Sequence, residues 1–336
     1  MSQKIHNFRE MKSKKVLITG GLGFIGSNIA QKLVPLGANV TIYDACLDPY
    51  GWNFANIKEI KDQVKFVKGD TRDAEKLKAH IKDCDYVIDC ASQISHTISI
   101  KNPFLDIDIN CNGALSVLEA ARNASNNKIK LIYAGTRGQI GKMAYSPIDE
   151  NHPTNPMDMN GINKLAAEKY YLLYSRLYGF PVSSLRVNNA YGIRCQMKHS
   201  DYGIVNWFLR QAMENKQITI NGPGLQTRDY SYVEDIADAF VLAMQSEKAN
   251  GEIFMLGSGK QVKFIDVCNL ILRTANSKMK ISHQEWDAER KAIEIGNFEV
   301  SFAKIKSLLG WAPKTSFEDG LKKTHDFYSK RKSEYF

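Results

Sequence analysis

Through the first half of the chain, short uninterrupted apolar runs alternate with longer stretches of helical periodicity. Residues 16–19 form an apolar run that ends in glycines, and 27–36 reads as a helix. Strands are predicted over 39–43, 64–67, 86–90 and 130–134, with helices over 74–82 and 113–124. Strands without polar alternation are buried on both faces, which predicts a parallel sheet covered by helices and joined by right-handed crossovers. The alternation loosens after residue 190. A polar loop over 197–203, a helix over 204–215, a strand over 218–220 and an Asn-Gly-Pro-Gly turn at 221–224 come next. They precede a helix over 233–245, a strand over 253–256 and helices beginning near 263 and 300. The fold is therefore read as α/β, a doubly wound parallel sheet with a smaller C-terminal lobe. No Pro-rich linker separates the two, so the lobe is expected to be interwoven. Residues 12–190 make the first domain, with returning segments near 226–258, and 191–330 make most of the lobe.

Composition excludes several classes. With 336 residues, 43% hydrophobic and 24% charged, the chain is neither disordered nor fibrous. No apolar run approaches the roughly 18 residues a membrane helix needs. The first fifteen residues are polar and basic and carry no apolar signal core, and the six cysteines include no Cys-x-x-Cys pair. A cytoplasmic protein without a metal site is expected. The formal charge of +9 comes partly from lysines crowded at both ends. No nucleic-acid-binding motif accompanies it, so the excess charge points to a basic cleft for a small phosphorylated ligand.

The sharpest motif is Thr19-Gly20-Gly21-Leu22-Gly23-Phe24-Ile25-Gly26, directly after the first strand and opening the first helix. Glycines there let the backbone turn tightly and approach a pyrophosphate at the helix N-terminus. Asp44 closes the second strand, where a carboxylate accepts hydrogen bonds from ribose hydroxyls and repels a 2′-phosphate. NAD is the cofactor this predicts. Together with Asp70, Asn110, Lys164-x-x-x-Glu168, Arg186-Val-Asn-Asn189-Ala-Tyr191-Gly, Thr227-Arg228-Asp229-Tyr230, Tyr232-Val-Glu-Asp235 and Leu309-Gly-Trp311-Ala-Pro, the motif resembles the extended short-chain dehydrogenase/reductases. Within them it is similar to the nucleotide-sugar epimerase/dehydratase branch, from about residue 14 to about residue 325. The resemblance implies a Rossmann fold, with Asp70 and Thr71 near the adenine and Cys90, Ala91 and Ser92 along the cofactor cleft. It implies Asn189, Arg228 and Arg290 on a nucleotide-diphosphate sugar, where guanidinium forks suit diphosphate oxygens.

The same resemblance implies a Ser or Thr and a Tyr-x-x-x-Lys, whose tyrosine takes a sugar proton while NAD takes the hydride. Thr136 and Lys164 match, but the tyrosine's place holds Asn160. An amide donates and accepts hydrogen bonds and is no base. Either another group takes the proton (Tyr145, His96, Cys111 or a water held by Asn160 and Lys164), or the enzyme is slow, or the chain binds its ligands without turning them over. Asn160 is expected to position the sugar hydroxyl, and a tyrosine in its place is expected to fit. Arg137 and Gly138 follow Thr136 where the 4,6-dehydratases of the branch carry Asp-Glu, which disfavours dehydration. Arg137 either binds substrate or faces solvent. His96 reads either as a substrate-loop residue or as an ordinary loop histidine, and Tyr145 as a residue that caps the cleft or packs beside it.

The resulting expectation is an NAD-dependent nucleotide-sugar epimerase acting through a transient ketone in surface-glycan synthesis. A dehydrogenase, reductase or dehydratase of the same branch, or a catalytically silent binding protein, are the alternatives. The helix over 161–178 is apolar around most of its circumference, which predicts a homodimer built on a four-helix bundle with the helix from 113.

Overall fold

The structure, a computed structural model, describes residues 8–124 and 128–336. The first strands are β1 (Lys15–Thr19), β2 (Asn39–Asp44), β3 (Val64–Lys68), β4 (Tyr86–Asp89), β5 (Lys130–Thr136) and β6 (Val182–Val187). Between them run α1 (Phe24–Leu33), α2 (Ala74–Ile81), the short α3 (His96–Lys101) and α4 (Pro103–Ile107), then α5 (Gly113–Arg122) and α6 (Met159–Tyr178). The chain continues through β7 (Asn189–Tyr191), α7 (Ile204–Met213), β8 (Ile218–Asn221), β9 (Thr227–Tyr232), α8 (Val233–Gln245) and β10 (Glu252–Leu256). Next come β11 (Gln261–Lys263), α9 (Phe264–Thr274) and β12 (Ile281–Gln284).

Seven strands form one parallel sheet in the order β10-β6-β5-β4-β1-β2-β3. The chain leaves β1 toward β2 and β3, then crosses back to β4 on the other side, so the sheet's switch point lies between β1 and β4. A crevice opens at the carboxyl ends of such strands. Each face of the sheet carries its own core. Ile29 and Leu33 of α1 meet Ile236 and Phe240 of α8 on one side. On the other, Leu77, Val117, Leu118 and Tyr171 pack α2, α5 and α6 together. A third core joins α7, α9 and Tyr328 beneath two small sheets, β11-β9-β7 and β12-β8.

Local chemistry sets the element ends. α1 starts at Phe24, earlier than its apolar periodicity indicates, because the glycine loop feeds straight into the helix. Pro35 tightens its far end into a 3₁₀ turn over Val34–Leu36, and Gly37 at φ 85° stops it. Asp158 caps α6 through the Gly161 N–H, and Gly179 at φ 72° ends it. The helix expected from residue 300 begins only at Ala303, since Val300 is buried and bridges to Ile148 instead. The Asp235 and Trp311 motifs meet: the Trp311 indole donates to the Asp235 carbonyl at 2.8 Å, and the Asp235 carboxylate accepts from the Lys314 and Thr315 N–H groups.

α6 inverts the usual rule. Its buried residues include Asn160, Asn163, Lys164 and Glu168, while Leu173 and Leu177 lie exposed. Glu168 is fully buried and holds Arg186 of β6 through two bonds of 3.0 and 2.6 Å, with the Ser184 hydroxyl donating at 2.7 Å. A buried charge stripped of its partner is strongly destabilising. Glu168→Ala is expected to lower the unfolding free energy by ~3–5 kcal/mol in urea titrations. Glu168→Leu combined with Arg186→Met is expected to recover much of that loss.

Candidate active site

Three cavities run side by side along the crevice. The first, about 160 Å³, is lined by Gly20, Gly23, Phe24, Ile25, Gly26, Asp44, Asp70, Thr71, Cys90, Ala91 and Ser92. The sequence singled out all of these. Gly20 sits at φ 61°, and a Cβ there would lie 2.8 Å from the Cys90 carbonyl. A Cβ on Gly26 would lie 2.5 Å from the Gly20 carbonyl. The loop therefore leaves a side-chain-free cradle at the N-terminus of α1, as a pyrophosphate requires. Asp44 is buried and fixed by accepting from the Leu22 and Cys46 N–H groups at 3.0 and 2.9 Å, and burial pushes its carboxyl up. Arg72 grips Asp70 with two bonds, 3.0 and 2.6 Å. Burial raises the Asp70 carboxyl, but these bonds outweigh it and hold it below the usual range. Ser92 donates to Asn110 at 2.7 Å. These residues fit a dinucleotide.

The second cavity, about 230 Å³, shares Phe24, Ile25, Cys90 and Ser92 with the first and adds Thr136, Asn160, Lys164 and His96. Lys164 lies over the Tyr133 ring, 4.3 Å from its centroid, and its ammonium makes no hydrogen bond among the described residues. Burial lowers its pKa, with Asp89 opposing. An ammonium held by a ring and left unpaired on a cavity wall suits a ribose hydroxyl. Thr136 accepts from the Gly138 N–H at 3.3 Å, while its own N–H donates to Gln139.

Asn160 occupies the tyrosine's place for a visible reason. Its amide NH₂ donates to the Gln93 carbonyl at 2.6 Å and to Asp106 at 3.4 Å. Asp106 is fully buried and has no cationic partner among the described residues. Instead it also accepts from the amides of Gln93, Asn110 and Asn163 at 2.6, 3.0 and 2.7 Å. The Asn160 NH₂ is thus committed inward, and only its Oδ1 remains for the cavity, as an acceptor. Asn160 is expected from the sequence to position the sugar hydroxyl, and Oδ1 is the part of its amide left for that role.

The proton-handling candidates separate cleanly. Tyr145 lies exposed, donates to Asp149 at 2.7 Å, packs on His152 and lines neither the second nor the third cavity. The hydrogen bond to Asp149 pushes its pKa up to about 12. It does not cap the cleft. Cys111 is buried, with its thiol directed at the Asn163 carbonyl at 3.5 Å, and burial pushes it up to about 11. His96 alone reaches the reacting region, lining both the second cavity and the third. It is the first residue of α3 rather than a loop residue, and its Nδ1 lies 2.6 Å from Asp158, which the sequence reading overlooked. The Asp158 capping position was the signal available for it.

The third cavity, about 560 Å³, gathers His96, Arg137, Asn189, Arg228 and Arg290, together with Trp207, Gln226 and Trp286 from the lobe. Arg137 does not face bulk solvent. It donates to Asn189 at 2.9 Å and lies over the Phe298 ring, and burial with the like charge of Arg228 lowers it to about 10. It stays charged at neutral pH. Arg228 pairs with Glu294 at 2.5 Å, and Arg290 lies 3.5 Å from Asp287. Three guanidinium groups around one cavity, partly neutralised, make an anion site with aromatic walls.

The model of the GDP-mannose 4,6-dehydratase family matches residues 17–324. The chain belongs to this family. A Methanocaldococcus jannaschii protein assigned as a UDP-glucose 4-epimerase is 34% identical, over 92% of this chain and 96% of its own. The structure of an epimerase from Methanothermobacter thermautotrophicus superposes with a TM-score of 0.90 at 28% identity, over 96% of this chain and 94% of that one. The UDP-glucose 4-epimerase of Thermus thermophilus, in complex with NAD, gives 0.84 at 28% identity, over 94% and 99%. The seven-stranded parallel sheet is thus this family's Rossmann-type sheet.

The amide network sets an expectation for Asn160. Asn160→Ala leaves the Gln93 carbonyl with one donor fewer and Asp106 with the other amides. It is expected to lower stability by ~0.5–1.5 kcal/mol in urea denaturation, the usual net worth of a hydrogen bond, because the Gln93 carbonyl keeps its Ser92 and Asn110 donors. Asn160→Tyr, which also lacks the amide, is expected to lose a similar amount.

Proposed function

We propose that the protein is an NAD-dependent nucleotide-sugar epimerase that works through a transient keto-sugar. One observation carries this reading: a pocket holding Thr136 and the unpaired Lys164 ammonium lies between a cleft shaped for a dinucleotide and a cavity ringed by three arginines. NAD supplies a reversible hydride acceptor when bound. The chain's own residues do the rest. Gly20, Gly23 and Gly26 admit the pyrophosphate, and Asp44 takes the adenosine ribose. Lys164 takes the nicotinamide ribose. Arg137, Arg228 and Arg290 with Asn189 hold the sugar's diphosphate, placing one carbinol carbon beside the nicotinamide.

Epimerisation is preferred over dehydration because Arg137 and Gly138 follow Thr136, and neither supplies the carboxyl that eliminating water requires. In this assignment residues 12–190, with returning segments near 226–258, bind the cofactor, and most of 191–330 binds the sugar nucleotide. We place the enzyme in the cytoplasm, in synthesis of a surface polysaccharide or related glycan; no helix among the described residues is long and apolar enough to cross a membrane.

A homodimer through α5 and α6 fits the exposed apolar residues of α6. Ile162, Leu173 and Leu177 are 48, 39 and 61% exposed and, at about 100° per residue, share one side of the helix. Pairing two copies would bury them in a four-helix bundle. Sedimentation of the wild type at micromolar concentration is expected to show a dimer, and Leu177→Arg a monomer.

The activity is tested by incubating the NAD-loaded protein with UDP-, GDP-, dTDP- and CDP-hexoses and analysing the products. One sugar is expected to return inverted at a single carbon. A 4-keto-6-deoxy product would point to dehydration, and tight binding without turnover to the silent binding protein that Asn160 first suggested. NAD is expected to bind at least about fivefold tighter than NADP by calorimetry. The buried Asp44 carboxylate stands against a 2′-phosphate, and two charges ~4 Å apart repel by about 1–4 kcal/mol between bulk water and a protein surface.

A further inference from the structure

With Asn160 turned inward, α6 offers the reaction pocket no side chain able to take a sugar proton. His96 has the geometry to supply what is missing. Its ring stands where the second cavity opens into the third, about one third exposed by its side chain. Asp158 is nearly buried and uses both oxygens: one caps α6 by accepting from the Gly161 N–H at 2.8 Å, and the other meets His96 Nδ1 at 2.6 Å. An ionised carboxylate only accepts, so this contact keeps a proton on Nδ1 and makes Nε2 the ring nitrogen left for a ligand in the cavity. His96 Nε2 has no hydrogen-bond partner among the described residues. Burial pushes the Asp158 carboxyl up, but the bonds from His96 and Gly161 outweigh it and hold it below its usual range, so it stays ionised at neutral pH.

We propose that His96 is the catalytic acid and base of this enzyme, with Asp158 as its positioning residue. The assignment rests on the epimerase reading above. As the carbinol C–H hydride passes to NAD, the O–H bond breaks and its proton moves to His96 Nε2. The carbon is oxidised by two electrons to a ketone, and NAD is reduced by the same two. When the hydride returns to the opposite face of the ketone, the His96 Nε2 proton returns to the oxygen, so neither proton nor electron is gained or lost. Asp158 orients the ring and stabilises the imidazolium formed between the two steps, a role carboxylates play beside other catalytic histidines. Asn160 Oδ1 and Thr136 then serve as hydrogen-bond partners of the sugar, which leaves the proton to the imidazole.

The test uses the NAD-loaded full chain with UDP-glucose, or with whichever hexose of the nucleotide-sugar panel the wild type converts. His96→Ala is expected to slow formation of reduced nicotinamide in a single turnover by about a hundredfold or more, the usual worth of a placed acid or base. UDP affinity by calorimetry is expected to stay within about twofold, because only a transition-state interaction is removed. Added imidazole is expected to restore part of the rate. Asp158→Asn is expected to slow the same step, since an amide NH₂ facing Nδ1 moves the ring proton to Nε2. Nitrogen-15 NMR of the His96 ring, without cofactor, is expected to show a protonated Nδ1 and a bare Nε2 in the wild type and the reverse in Asp158→Asn.

Wild-type rates in His96→Ala, or an Nε2-protonated ring in the wild type, would overturn the assignment. So would a slow variant that imidazole fails to rescue and whose melting temperature has dropped, because that is how a ring that only fastens α3 to α6 behaves. A wild type that binds the panel and converts none of it contradicts the epimerase reading itself. An active wild type with an equally active His96→Ala contradicts only the role of His96.

Discussion

One buried carboxylate joins the parts of this molecule that must stay in register. Asp89, at the end of β4, accepts from the Thr19 hydroxyl of β1 at 2.5 Å and from the Tyr171 hydroxyl of α6 at 2.8 Å. Thr19 in turn accepts from the Cys90 and Ala91 N–H groups at 3.1 Å each. The joint therefore binds the two strands that part at the switch point and anchors the helix that crosses behind them. Tyr171 stacks on Tyr133, the ring over which Lys164 lies, and Tyr133 donates to the Lys164 carbonyl at 3.2 Å. The height of Lys164 and Asn160 above the crevice follows from that stack. Moving α6 by one turn would carry Lys164 about 5.4 Å from its place.

Polar residues dominate the inner side of α6 for the same reason. A helix laid against a sheet normally buries its apolar stripe, but here the inner face must present Lys164 to the pocket, an amide to Asp106 and Glu168 to Arg186. Each of these groups is satisfied by a partner or faces a cavity, which is the condition for burying it. The apolar residues that would otherwise fill that face are displaced outward to Leu173 and Leu177. A catalytic helix of this kind exposes apolar surface because its polar side is already in use.

Much of this was legible in the chain. Continuous apolar strands separated by helices predicted the parallel sheet, and the Thr19–Gly26 motif with Asp44 pointed to the cleft they now line. Matching motifs identified Thr136, Lys164 and the arginines that the structure collects along the crevice. What stayed hidden depends on contacts between segments distant in sequence. Nothing near Asn160 reveals that its amide faces Gln93 and Asp106, because those residues arrive from beyond β4. Asp158 drew no reading from the sequence, and only the position of α3 brings His96 against it. Tyr145 had the right chemistry for a base and the wrong place in space.

The account's central claim is that a hydride-transfer site persists here with an imidazole in place of the phenol. A crystal structure of the protein with NAD and a nucleotide sugar tests it most directly. The account predicts a sugar carbon facing the nicotinamide, its hydroxyl within hydrogen-bonding distance of His96 Nε2, Lys164 on the nicotinamide ribose and Asp158 still on Nδ1. A sugar bound with no carbinol directed at the nicotinamide, or with His96 turned out of the pocket and a different group against that hydroxyl, would contradict it.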